Sequence, residues 1–257
     1  MINLTKSSNP VFKEQAFSKG YTYDSEVMTV NGTINKTGLM LLMVLAGAIF
    51  TWGKFFDAAT VDNPQAGMSA ILPWLAIGGI GGFITALVTV FRPQSSGVSA
   101  PIYAVLEGTF LGGLSAYFEA MFPGIVMRAV ALTMGVFMAM LFLYRSKIIK
   151  VNNRFITGVV AATAGVAIVY FVSFIASMFG ANVGFLYGNS NLSIGISLVV
   201  IVIAALNLML DFAFIERAAQ SGAPKYMEWY GAFGLMVTLV WLYFEILRLL
   251  SKLASRN

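Results

Sequence analysis

The chain holds eleven carboxylates and sixteen lysine or arginine cations, with neither histidine nor cysteine. Those absences remove the imidazole base, the thiolate nucleophile, disulfides and the usual ligands of zinc, haem and iron–sulfur centres. Chemistry is left to carboxylates, cations, hydroxyls and backbone. Two carboxylates stand inside apolar runs: Glu107, and Asp211 within Leu208-Met209-Leu210-Asp211-Phe212-Ala213-Phe214. Asn207 lies four residues before Asp211 and shares its face on a helix. Arg92 closes one apolar run and Glu228 opens another. An ionisable group at membrane depth costs about 2.5–3.5 kcal/mol and is a functional candidate by default. A carboxylic acid so placed is either protonated or paired with a cation, and Arg92 is the cation placed to pair with Asp211. Such a pair is a pH-sensitive latch, because protonating the acid discharges one partner. Carboxylate, amide and carbonyl oxygens are also the ligands that Ca²⁺ prefers; Na⁺ and H⁺ fit the same residues. Asp211, Arg92, Glu107, Glu228 and Asn207 are therefore the pH-sensor or ion-pathway candidates. Glu119, Glu216 and Glu245 read as interfacial, Glu245 pairing with Arg248 three residues on.

The elements that must position these groups follow from composition. Of 257 residues, 58% are hydrophobic and 11% charged, where a soluble domain carries about 25% charged, and the mean hydropathy is +0.82. Helical spans of about 20 apolar residues match the hydrocarbon thickness of a bilayer. That ruler gives seven spans, at 38–56, 69–91, 100–118, 124–144, 155–179, 192–214 and 229–250. Trp52, Trp74, Tyr117, Tyr144, Trp229 and Tyr230 fall near their ends, where amphipathic rings favour the headgroup layer. Continuous apolar runs do not suit a β-barrel. The fold class expected is all-α: a polytopic membrane protein, a seven-transmembrane-helix bundle (37–257) behind a short polar N-terminal cytoplasmic tail (1–36). The tail does not resemble a cleavable signal peptide, so the first span reads as an uncleaved anchor. Alternation over 27–34, around Asn31 and Gly32, suits either a small hairpin or an ordered strap on the membrane surface.

Basic residues in the short loops set the orientation. With the N-terminus cytoplasmic, eleven lie inside, among them Lys36, Arg92, Arg145, Lys147, Lys150, Arg154, Arg217 and Lys225; five lie outside, namely Lys54, Arg128, Arg248, Lys252 and Arg256. A re-entrant last segment would carry the basic C-terminus back inside, but 229–250 is long enough to span. The net charge of +5 is spread over the loops, which suits anionic lipid and gives no sign of nucleic-acid binding. Gly78-Gly79-Ile80-Gly81-Gly82 in span two and Gly108, Gly112, Gly113 and Ser115 in span three lie inside apolar runs. They read as close helix packing surfaces, since a phosphate-binding loop needs a strand before it.

The C-terminal third, with Leu210-Asp211-Phe212, Ile215-Glu216-Arg217-Ala218, Gly222 and Tyr226, resembles the Bax inhibitor-1 (transmembrane Bax inhibitor motif) family. Ser7-Ser8-Asn9-Pro10-Val11-Phe12, Met28-Thr29-Val30-Asn31-Gly32-Thr33 and Leu106-Glu107-Gly108 are similar to a bacterial branch of it. The resemblance implies a seven-helix fold in a bacterial cytoplasmic (inner) membrane and a pH-dependent Ca²⁺ leak. It also implies a sensor made of two Asp residues on spans six and seven, latched to an Arg on span two. Asp211 matches the first Asp and Arg92 the Arg. The second falls at 234–236, where this chain has no acid, so Glu228 or Glu107 replaces it or the two-carboxylate sensor is lost.

The function expected is thus a pH-sensitive calcium or other cation leak serving ion homeostasis, not an enzyme and without a cofactor or resident metal. The bilayer and the permeant cation are its expected partners, with no nucleic acid. The alternative is a non-enzymatic membrane interaction protein modulating a membrane protease or stress response, for which the tail and the 145–154 loop would matter most. Intramembrane proteolysis by Ser–His or zinc chemistry is excluded by the lack of histidine, and the spans hold one Asp where an aspartyl protease needs two.

Overall fold

The computed structural model describes residues 26–60, 65–180 and 184–256, with backbone alone at 185 and 187. Most of the tail expected at 1–36, including Lys6, Lys13, Lys19 and the motif at 7–12, lies outside the described residues. Seven long helices follow: α1 (Val30–Ala58), α2 (Gln65–Phe91), α3 (Ser96–Met121), α4 (Ile125–Arg145), α5 (Asn153–Met178), α6 (Asn191–Gln220) and α7 (Met227–Ala254). A short 3-10 turn, Pro93–Ser95, joins α2 to α3, and a helical turn, Gly184–Tyr187, precedes α6.

Local chemistry explains the boundaries. The Thr29 hydroxyl accepts from the Gly32 amide at 2.9 Å, a side-chain cap that starts α1 at Val30, eight residues ahead of the expected span. No hairpin forms over 27–34. Val27 instead bridges antiparallel to Pro224, and the Met28 amide donates to the Ala223 carbonyl at 2.8 Å. Asn152 and Ser190 cap α5 and α6 in the same way. Between α3 and α4 the chain turns at Gly124, whose φ of +82° suits glycine. There the Glu119 carboxylate accepts from the Val126 amide at 3.0 Å, satisfying a free donor at the start of α4.

Six of the seven helices are long and apolar enough to cross a membrane. The exception is α3, whose 26 residues carry Glu107, Glu119 and many small or hydroxylic side chains. Its composition fits its position, for α3 packs against α1, α2, α4 and α7. α7 is the second hub, packed on α1, α3, α4 and α6, and its 28 residues form one continuous helix rather than a re-entrant pair. Leu208, Met209, Leu242 and Leu247 make one fully buried core, and Met40, Ala104, Ala232 and Met236 another. Large apolar side chains stand outward on the other faces, Phe179 87% exposed and Ile49, Phe83 and Phe171 well over half exposed. An apolar outer surface on this scale belongs in lipid.

The glycines meet the packing expectation. A Cβ on Gly47 would lie 2.6 Å from the Val105 carbonyl oxygen, and one on Gly78 would lie 2.7 Å from that of Leu106. On Gly108 and Gly112 it would collide with the backbone of Val44 and Ala48. The α1–α3 and α2–α3 contacts are therefore backbone against backbone.

Candidate functional site

Glu228 sits in the first turn of α7 and is fully buried. One carboxylate oxygen accepts from both the Thr29 amide and the Thr29 hydroxyl, each at 2.9 Å. The other is ion-paired with Lys36 of α1. Lys225 adds a second cation, 3.3 Å from Glu228 and 3.5 Å from Glu26. Lys225 loses some hydration, but its bonds to Glu228 and Glu26 outweigh that and hold its pKa above the ordinary lysine value. Gly32 makes the arrangement possible, because a Cβ there would overlap the Glu228 carboxylate. The cluster clasps the start of α1 to the start of α7 and satisfies a buried charge completely. Thr29→Ala is expected to lower stability by about 1–2 kcal/mol, through loss of the cap and of one bond to Glu228. Thr29→Ser is expected to stay near wild type in thermal denaturation in detergent.

Asp211 lies deeper, on α6. One carboxylate oxygen, Oδ2, is buried without a hydrogen-bond partner, and the Thr238 hydroxyl of α7, which donates to the Gly234 carbonyl at 3.3 Å, faces the carboxyl group. Four residues along, Asn207 donates to the Thr163 hydroxyl of α5 at 2.8 Å and to the Ile203 carbonyl at 2.9 Å. Glu107 faces the other side of the bundle, its Oε2 beside Gly82 of α2, and it makes no ion pair among the described residues.

The Arg92–Asp211 pair suggested by the sequence is not made. Arg92 is exposed at the end of α2 and has no ion pair among the described residues. Among the described residues α2 packs on α1, α3 and the 3-10 turn and makes no comparable contact with α6. Among the described residues no second carboxylate joins Asp211. Glu228 lies ten residues before Thr238 on α7, about 15 Å along the helix. α3, which carries Glu107, does not pack against α6.

A further cluster escaped sequence reasoning. Glu245 is 1% exposed; its Oε1 lies 3.5 Å from Arg248 and accepts from the Tyr170 hydroxyl of α5 at 3.1 Å. One turn beyond Arg248, Lys252 is 4% exposed and donates to Ser197 Oγ and the Leu186 carbonyl, each at 2.8 Å, and to the Ser193 carbonyl at 3.3 Å. The available signal was the spacing of Thr238, Glu245 and Lys252, seven residues apart and thus on one face of α7. No group of three or more acids that could hold a metal ion occurs among the described residues.

A family model described as Bax inhibitor 1 like matches residues 9–255, nearly the whole chain. The chain belongs to that family. No curated protein matches it. In this Bax inhibitor 1 like protein the stretch at 234–236, where the resemblance implies a second Asp, is Gly234-Leu235-Met236. A hydroxyl, that of Thr238, faces Asp211 instead.

Proposed function

We propose that this integral membrane protein is a pH-sensitive cation leak with Ca²⁺ as a permeant ion. In this reading all seven helices cross the bilayer, with the N-terminus cytoplasmic, and the protein serves ion homeostasis in a bacterial inner membrane. Family membership and the lipid-facing helices support the setting. The observation that carries the function is Asp211: a carboxylate oxygen buried without a partner where α6 packs on α7, in a helix stretch that also buries Leu208, Met209 and Phe212. Burying such a group costs free energy unless a proton or cation joins it. Asn207, Thr163 and Thr238 supply neutral oxygens near it, the hard ligands a partly dehydrated cation requires.

A change of one charge at Asp211 then alters the α6–α7 contact and with it the leak. Asp211→Asn imitates the protonated acid at every pH. Its Ca²⁺ release from proteoliposomes is expected to be independent of pH and equal to the acid limit of the wild type. A variant that keeps the wild-type pH profile would remove Asp211 from the sensor.

A further inference from the structure

Polar side chains form a seam where α5, α6 and α7 meet. It starts at Asp211 and Thr238, passes Asn207 bonded to Thr163, then Glu245 bonded to Tyr170, and ends at Lys252 against Ser197. The register is regular. Asp211 and Ser197 are fourteen residues apart on α6, and Thr238 and Lys252 are fourteen apart on the antiparallel α7. Each interval is about 21 Å of helix, most of the hydrocarbon thickness. Glu245 lies midway on α7, and its Oε2 is buried without a hydrogen-bond partner.

The Lys252 end is unusual for a lysine so near a helix terminus. Such side chains ordinarily extend to the headgroups, yet this one turns inward. Its ammonium is held by two backbone carbonyls and a hydroxyl, and it has no carboxylate within ion-pair distance among the described residues. Three neutral oxygens around a buried positive charge make the kind of cage that coordinates a dehydrated alkali or alkaline-earth ion. Arg248 and Glu245 on α7 and Tyr170 on α5 are the charged and titratable groups nearest it along the seam.

We propose that this seam is the conduction path and that the Lys252 ammonium is a tethered cation plugging the end away from the Glu228 clasp, in a site that a permeant ion takes when the side chain withdraws. Glu245 is the next station inward. The inference rests on the reading of the protein as a cation leak.

The test is flux of Ca²⁺, Na⁺ and K⁺ from proteoliposomes. Lys252→Met keeps the length and burial of the side chain and removes the charge. It is expected to raise basal flux by roughly tenfold, the lower end of what losing a charge-assisted hydrogen bond does to a two-state equilibrium. Glu245→Gln added to it is expected to bring the flux back toward wild type. Ser197→Ala loosens the cage from the opposite helix and is expected to raise flux by a smaller factor. It decides the matter if Lys252→Met does not fold. Wild-type flux in a variant with wild-type melting and elution overturns the plug, while a pH response that still depends on Asp211 leaves the leak standing. Absence of flux in wild type and all variants removes both.

Discussion

Adding one methyl group at Gly108 is expected to destabilise the bundle by about 1–3 kcal/mol, and a valine there by more, enough to prevent recovery of folded protein. The new Cβ would lie inside contact distance of the Val44 carbonyl oxygen and 2.8 Å from Val44 C and Cα. These are backbone atoms within α1, so they cannot swing aside as a side-chain tip would. The helices must separate. Separation is costly here, because α1 and α3 make the most extensive helix contact in the bundle and membrane helices gain their association from such close packing. Gly112→Val meets the same obstacle in Ala48. Gly135→Ala is the control, with nothing within 4 Å of its Cβ and glycine a poor helix former. Melting in detergent should fall sharply for Gly108→Ala and hold or rise for Gly135→Ala. Equal melting of the two would refute the packing argument.

Glu228→Ala is expected to cost about 3 kcal/mol, within the range for removing one partner of a buried ion pair. It strands Lys36, whose side chain is 19% exposed, and removes the acceptor of the Thr29 amide and hydroxyl. Glu228→Gln keeps an acceptor for Thr29 and should lose about half as much. Lys36→Met combined with Glu228→Leu should recover much of the loss, since a buried pair replaced by apolar groups is often neutral. Thermal melting of wild type and these three variants measures the losses and the recovery. If Glu228→Ala melts with the wild type, the clasp adds no stability.

What could be read beforehand follows from the range of the interactions involved. The long apolar runs and the glycine faces are properties of consecutive residues, and the helices lie where the length of those runs placed them. Asp211 and Asn207 could be picked out because polar residues in an apolar run are costly wherever the run packs. Glu228 was legible as a candidate, but its partners Thr29 and Lys36 lie 199 and 192 residues away, and nothing in a single chain of letters says that α1 lies beside α7. The same ignorance of neighbours made Arg92 look available to Asp211. The Glu245–Arg248 pair read from their spacing is made, but the burial of Glu245 was not legible, because Tyr170, which bonds it from α5, lies 75 residues away.

Whether the protein is a cation leak is decided by wild-type protein in sealed vesicles loaded with Ca²⁺, Na⁺ or a pH-sensitive dye, compared with protein-free vesicles over a series of pH values. A pH-sensitive leak releases cations above the protein-free rate, at a rate that changes with pH and with Ca²⁺ among the ions released. Folded protein that releases none of these ions at any pH would contradict it.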